Sequence, residues 1–145
     1  MPAAGDCELI RDAFLGQPVN ALSSLAYVVV AFMLMASRRV LAASAAGVVG
    51  IGSFLFHGPM PGVAKLVHDA SLVALLVVLV VEYLLWRPQL GAVLKPMALM
   101  AVAVTVFAVS RTGGPLCHPE SLLQGHAFWH GLSAAALWVW ERALR

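Results

Sequence analysis

Charge is scarce in this chain: only 11% of its 145 residues are Asp, Glu, Lys or Arg, against 61% hydrophobic. A soluble domain is nearer a quarter charged and half apolar, so there is too little polar surface here to cover a water-facing body. Together with a mean hydropathy of +0.90, this marks an integral membrane protein. Alternation of apolar and polar residues is also missing from the long apolar runs, which excludes strands and leaves helices, whose backbone groups are satisfied internally in lipid. The N-terminus lacks the basic-then-apolar order of a cleaved signal. Asp6, Glu8 and Asp12 stand there against a single Arg11, and no cleavage is expected. A net charge of +2 gives no reason to expect a nucleic-acid partner.

Five apolar runs are present, at residues 20–36, 40–57, 63–86, 90–109 and 121–140, separated by Arg38-Arg39, Gly58-Pro59 with Pro61-Gly62, Arg87-Pro88, and the 111–115 turn. At roughly 20 residues per span, they fill a single transmembrane domain over 1–145, with a short extracytoplasmic segment at 1–19. The expected fold is all-α, a polytopic membrane bundle of about five transmembrane helices. An odd span count puts the termini on opposite sides. Arg38, Arg39, Arg87, Lys95, Arg142 and Arg145 fall on one side and Arg11, Lys65 and Arg111 on the other. The excess of basic residues belongs inside, so the N-terminus is expected outside and the C-terminus in the cytoplasm of a bacterial-type plasma membrane. Trp86, Trp138 and Trp140 lie near the cytoplasmic helix ends, where an aromatic belt belongs.

In this orientation the polar residues within spans gather in the outer half of the bilayer. Ser53 and His57 lie one turn apart at the outer end of the second helix. Asp69 is in the first turns of the third, and His126 and His130 share one face of the fifth at i, i+4. Ionisable groups inside a span are costly and usually mark function. A lone membrane histidine is as often a helix–helix hydrogen-bond partner, but a same-face pair joined by a third imidazole at equal depth suits a metal. Three imidazoles with an open position suit catalytic zinc, which lowers the pKa of its water to about 7 and makes that water the nucleophile. Asp69 is the expected proton carrier and Ser53 the hydrogen-bond donor to the developing oxyanion. His68, about 100° round the helix from Asp69, is left out of the site. Glu82, near a helix end, is read as paired, Asn20 as a cap and His118 as exposed. No G-x-S-x-G occurs, and neither cysteine has a histidine at catalytic spacing within a span.

At these residues the sequence resembles a known group. Gly52-Ser53-x-x-x-His57, Asp69 and His126-x-x-x-His130 are similar to the motif set of the alkaline ceramidase family. Its superfamily of membrane hydrolases also includes the adiponectin receptors and GPI-remodelling proteins. Asp6-Cys7-Glu8, then Gln17-Pro18-Val19-Asn20 and Ser24, resemble the ceramidase opening. The resemblance implies zinc on His57, His126 and His130, with Ser53 and Asp69 at the reaction centre and a membrane lipid amide as substrate. It also implies calcium near the N-terminus, with Asp6 and Glu8 as ligands. Two departures stand out. The family has seven spans where five are counted here, which narrows the wall around a lipid cavity and raises the question of a homo-oligomer. Gln17 stands where the family has Glu, and Ile10 where it has Asn, which argues against a full calcium site.

Two readings compete with a zinc hydrolase: a non-catalytic, zinc-containing lipid receptor or structural bundle, and a haem-binding electron carrier with two axial histidines. The two cysteines also leave two readings, unrelated buried thiols or a bridge. Cys7 precedes the first span and Cys117 the fifth, so both face the outside, where a disulfide persists.

Overall fold

The computed structural model describes residues 5–144. Residues 1–4 of the N-terminal segment, and Arg145 of the cytoplasmic charges, lie outside the described residues. Five helices follow one another: α1 (Pro18–Ala36), α2 (Val40–His57), α3 (Ala64–Trp86), α4 (Leu90–Val109) and α5 (Gly125–Ala143). No strand occurs among the described residues. The first four helices are long and apolar enough to cross a membrane. Helix α5 matches α1 at 19 residues but carries His126, His130, Ser133 and Glu141, all buried against neighbouring helices. Its polar stripe meets protein, so the helix does not need to be apolar all round.

Helix boundaries have local causes. Helix α1 starts two residues before the apolar run, at Pro18, whose missing N–H and fixed φ suit a first helical position. The Glu8 carboxylate caps this end, accepting the N–H groups of Val19 and Asn20 at 2.8 Å each. Helix α5 starts four residues later than the hydropathy suggests. The preceding segment is held as a turn by the Gln124 side-chain amide, which donates to the carbonyls of Ser121 (2.6 Å) and His118 (3.0 Å).

The helices pack in the order α4–α5–α1–α2–α3, an arc rather than a closed ring. Helix α2 is the most buried of the four long apolar helices. Its Ala42, Ala43, Ala45, Ala46, Gly50 and Gly52 are buried, and small residues let membrane helices approach closely. At the end of the bundle where α2 begins, Arg39 ties three helices together, with Nε 2.7 Å from Glu141 and Nη2 3.7 Å from Glu82. Glu82 is thus paired, as its place near a helix end suggests. Between the arms of the arc, α3 and α4 leave a lateral apolar groove of about 430 Å³. Leu75, Leu79 and Tyr83 form one wall, Pro96 and Met100 the other, and Leu137 lies on its floor.

Candidate metal centre

Residues 5–17 strap across the end of the bundle opposite Arg39. Cys7 is bonded to Cys117 with the Cα atoms 5.5 Å apart, which settles the two cysteine readings in favour of a bridge. Backbone bonds continue the strap: Leu9 N–H donates to the Pro119 carbonyl (2.9 Å), and Gln17 N–H to that of His57 (2.8 Å). Helix α2 ends at His57 beneath this strap, and α5 begins beside it.

His57, His126 and His130 are all buried, and one nitrogen from each lies within 4.8 Å of the others. The ring centroids stand 4.6, 4.7 and 5.4 Å apart. Small side-chain rotations close such a group onto an ion at about 2.0–2.1 Å from each nitrogen. Three atoms strengthen the fit: Nε2 of His57 and both ring nitrogens of His126 are buried without any hydrogen-bond partner, a costly state that an ion would relieve. The donor set is therefore compatible with a metal. Three rings gathered about one point suit an ion better than a porphyrin, which needs two ligands facing each other across its plane.

Ser53 is brought to the cluster, its hydroxyl 3.2 Å from Nε2 of His130. Asp69 is not. Its side chain is 51% exposed and pairs with Lys65 Nζ at 2.5 Å on the outside of α3. The residue that α3 turns toward the cluster is His68, set aside in the sequence because it and Asp69 lie on different faces. Its ring stacks on Phe56 (4.7 Å) and lies 6.3 Å from that of His57, while its Nδ1 lies 3.0 Å from Asp69. Gly52 permits this approach, since a Cβ there would meet the His68 Cα at 3.4 Å and the Ser71 hydroxyl at 3.2 Å.

The calcium candidates serve different protein partners: Glu8 caps α1, and Asp6 turns to His126, Oδ1 lying 3.5 Å from Nδ1. Burial raises the Asp6 carboxyl above its ordinary value, with Arg111 the main opposing charge. Two further contacts went unread in the sequence. Gln17 Oε1 lies 2.7 Å from Nδ1 of His57, and Ser23 Oγ 2.8 Å from Nδ1 of His130. One step below His130, Ser133 bonds the Tyr27 hydroxyl at 2.7 Å, and both residues line the groove.

Comparison of the chain with known protein families, with curated proteins and with solved structures finds no match.

Proposed function

We propose that the chain is a zinc-dependent hydrolase of the outer leaflet that cleaves a lipid amide of ceramide type or another acyl lipid, and that it is a short, five-helix relative of the alkaline ceramidases. The observation that carries this reading is the trio of buried imidazoles, two of them with an unpartnered Nε2, beside a serine hydroxyl and one turn above a lateral apolar groove. A zinc ion held by His57, His126 and His130 supplies an electrophile for the scissile carbonyl and a water acidified toward neutral pKa. Ser53, at the edge of the cluster, donates a hydrogen bond to the carbonyl oxygen as charge develops on it. His68 accepts a proton from the attacking water and returns it to the leaving amine or alcohol. Asp69 acts behind it as a positioning residue, holding the His68 ring through Nδ1.

The groove takes the acyl chain sideways from the bilayer, and the Ser133–Tyr27 pair stands where chain gives way to headgroup. The bias of basic residues along the sequence supports an extracytoplasmic side for this chemistry. The test has two parts. Purified protein should hold about one zinc, and His57→Ala, His126→Ala and His130→Ala should each lose most of it, because a three-ligand site has none to spare. Wild-type protein should hydrolyse N-acyl or O-acyl lipids in a mass-spectrometric screen, and His130→Ala protein should not. The exposure of Asp69 favours a second reading, a zinc-containing receptor without turnover. Full zinc occupancy with no product from any lipid class would select it.

A further inference from the structure

We propose that the strap and the first turns of α1 are the outer shell of this metal centre: Gln17 and Ser23 hold the Nδ1 side of His57 and of His130 and so turn their Nε2 atoms onto the ion, while Asp6 sets its charge beside the third imidazole, that of His126. The inference rests on the metal-centre reading above and goes beyond it, since none of the three touches the ion.

The proton positions follow from the partners. The Gln17 side-chain Nε2 donates to the Glu8 carbonyl at 2.7 Å, which fixes the amide with its oxygen toward His57. That oxygen only accepts, so Nδ1 of His57 carries the proton and its lone pair lies on Nε2. Ser23 repeats the logic. Its hydroxyl donates to the Asn20 carbonyl at 2.9 Å, leaving oxygen lone pairs for Nδ1–H of His130 at 2.8 Å. Asp6 Oδ1 lies 3.5 Å from Nδ1 of His126 and faces that nitrogen without a hydrogen bond to it. Two different acceptors thus select one tautomer at His57 and His130, the one with its lone pair on Nε2. A neutral imidazole ligates through the nitrogen that its other hydrogen bond leaves free.

The strap is fastened where this role needs it. Glu8, whose carbonyl orients Gln17, is held by its carboxylate at the start of α1. Cys7, next to Asp6, is bonded to Cys117 ahead of the helix that carries His126 and His130. Cys7 N–H donates to the Thr112 hydroxyl at 3.1 Å.

Two measurements on the full chain in lipid nanodiscs test this. In ¹⁵N NMR of histidine-labelled, zinc-free wild type, His57 and His130 should be Nδ1–H tautomers, assigned by their alanine variants. Nε2–H tautomers at both would overturn the proposal without any variant that has to fold. By chelator competition, Gln17→Leu and Ser23→Ala should bind zinc 10–100-fold more weakly, while Ser23→Thr, which keeps the hydroxyl, should bind within about threefold of wild type. Tyr27→Phe, a buried hydroxyl removed farther down the same helix, should leave zinc affinity unchanged. Wild-type affinity in Gln17→Leu and Ser23→Ala would remove the outer-shell role and leave the metal centre standing. A wild type that binds no zinc would remove both.

Discussion

His68 and Asp69 are adjacent in sequence yet face differently, and the bond between them makes one role for two residues. His68 lies near the histidine cluster on a stacked face, whereas Asp69 reaches the cluster only through it. If both serve one proton transfer, removing either should leave zinc bound and slow hydrolysis. We expect about 10²-fold or more for His68→Leu, the usual scale for a general acid or base, and less for Asp69→Asn. The double variant should be no slower than His68→Leu alone, because residues acting in series are non-additive. Multiplying effects would separate the two. The choice between them could not be read from sequence, because a step of about 100° per residue says that they diverge but not which one a neighbour meets. The histidine trio was legible because repeated histidines at i, i+4 share a face whatever surrounds them. Their Nδ1 partners were not, since Gln17 and Asp6 reach the site through irregular chain that no periodicity describes.

At the scale of elements, hydropathy and punctuation located all five helices, because Arg, Pro and Gly pairs interrupt long apolar runs in a chain that must satisfy its backbone in lipid. The two helix starts that moved by more than one residue did so where side chains cap or hold the backbone, Glu8 at α1 and Gln124 before α5. The contact between α1 and α2 depends on one glycine. A Cβ on Gly50 would lie 2.7 Å from a Val28 methyl and 3.0 Å from the Val28 backbone nitrogen, and the backbone cannot rotate away. Gly50→Val should therefore destabilise the bundle by about 1–3 kcal/mol, the range for overpacking, read as a lower unfolding temperature in detergent. Span parity placed Cys7 and Cys117 on the same side of the membrane and left the bridge open as one of two readings, and the structure bonds them. Mild reduction should leave the helical circular dichroism unchanged, because the spans stay inserted, and weaken zinc binding about 10-fold as Asp6 is released. Unaltered affinity would show that the backbone bonds of the strap hold Asp6 without the bridge.

For the whole molecule, the arc α4–α5–α1–α2–α3 has a consequence that span counting alone did not carry. Only 17% of the best-matching window of α3 and of α4 is buried, against 56% for α2, so the outer arms of the arc face lipid and the groove between them opens sideways. Five helices in an open arc leave a groove with bilayer as its fourth wall, suited to a chain that arrives from the membrane. Val80 on α3 and Met97 on α4 line opposite walls, and each is about half exposed at 49% and 57%, so a larger side chain at either can be accommodated without repacking the core. Val80→Trp and Met97→Trp should fill the groove from its two sides, raising KM for long-chain acyl lipids by about 10-fold, roughly the loss of 1.4 kcal/mol of apolar contact. Hydrolysis of a short-chain, water-soluble amide should be unchanged, because the histidine cluster and Ser53 lie above the obstruction. If both substrates slow equally, the tryptophans have disturbed the site; if neither does, the acyl chain lies elsewhere, and the groove between α3 and α4 is covered by another protein surface such as a second copy of the chain.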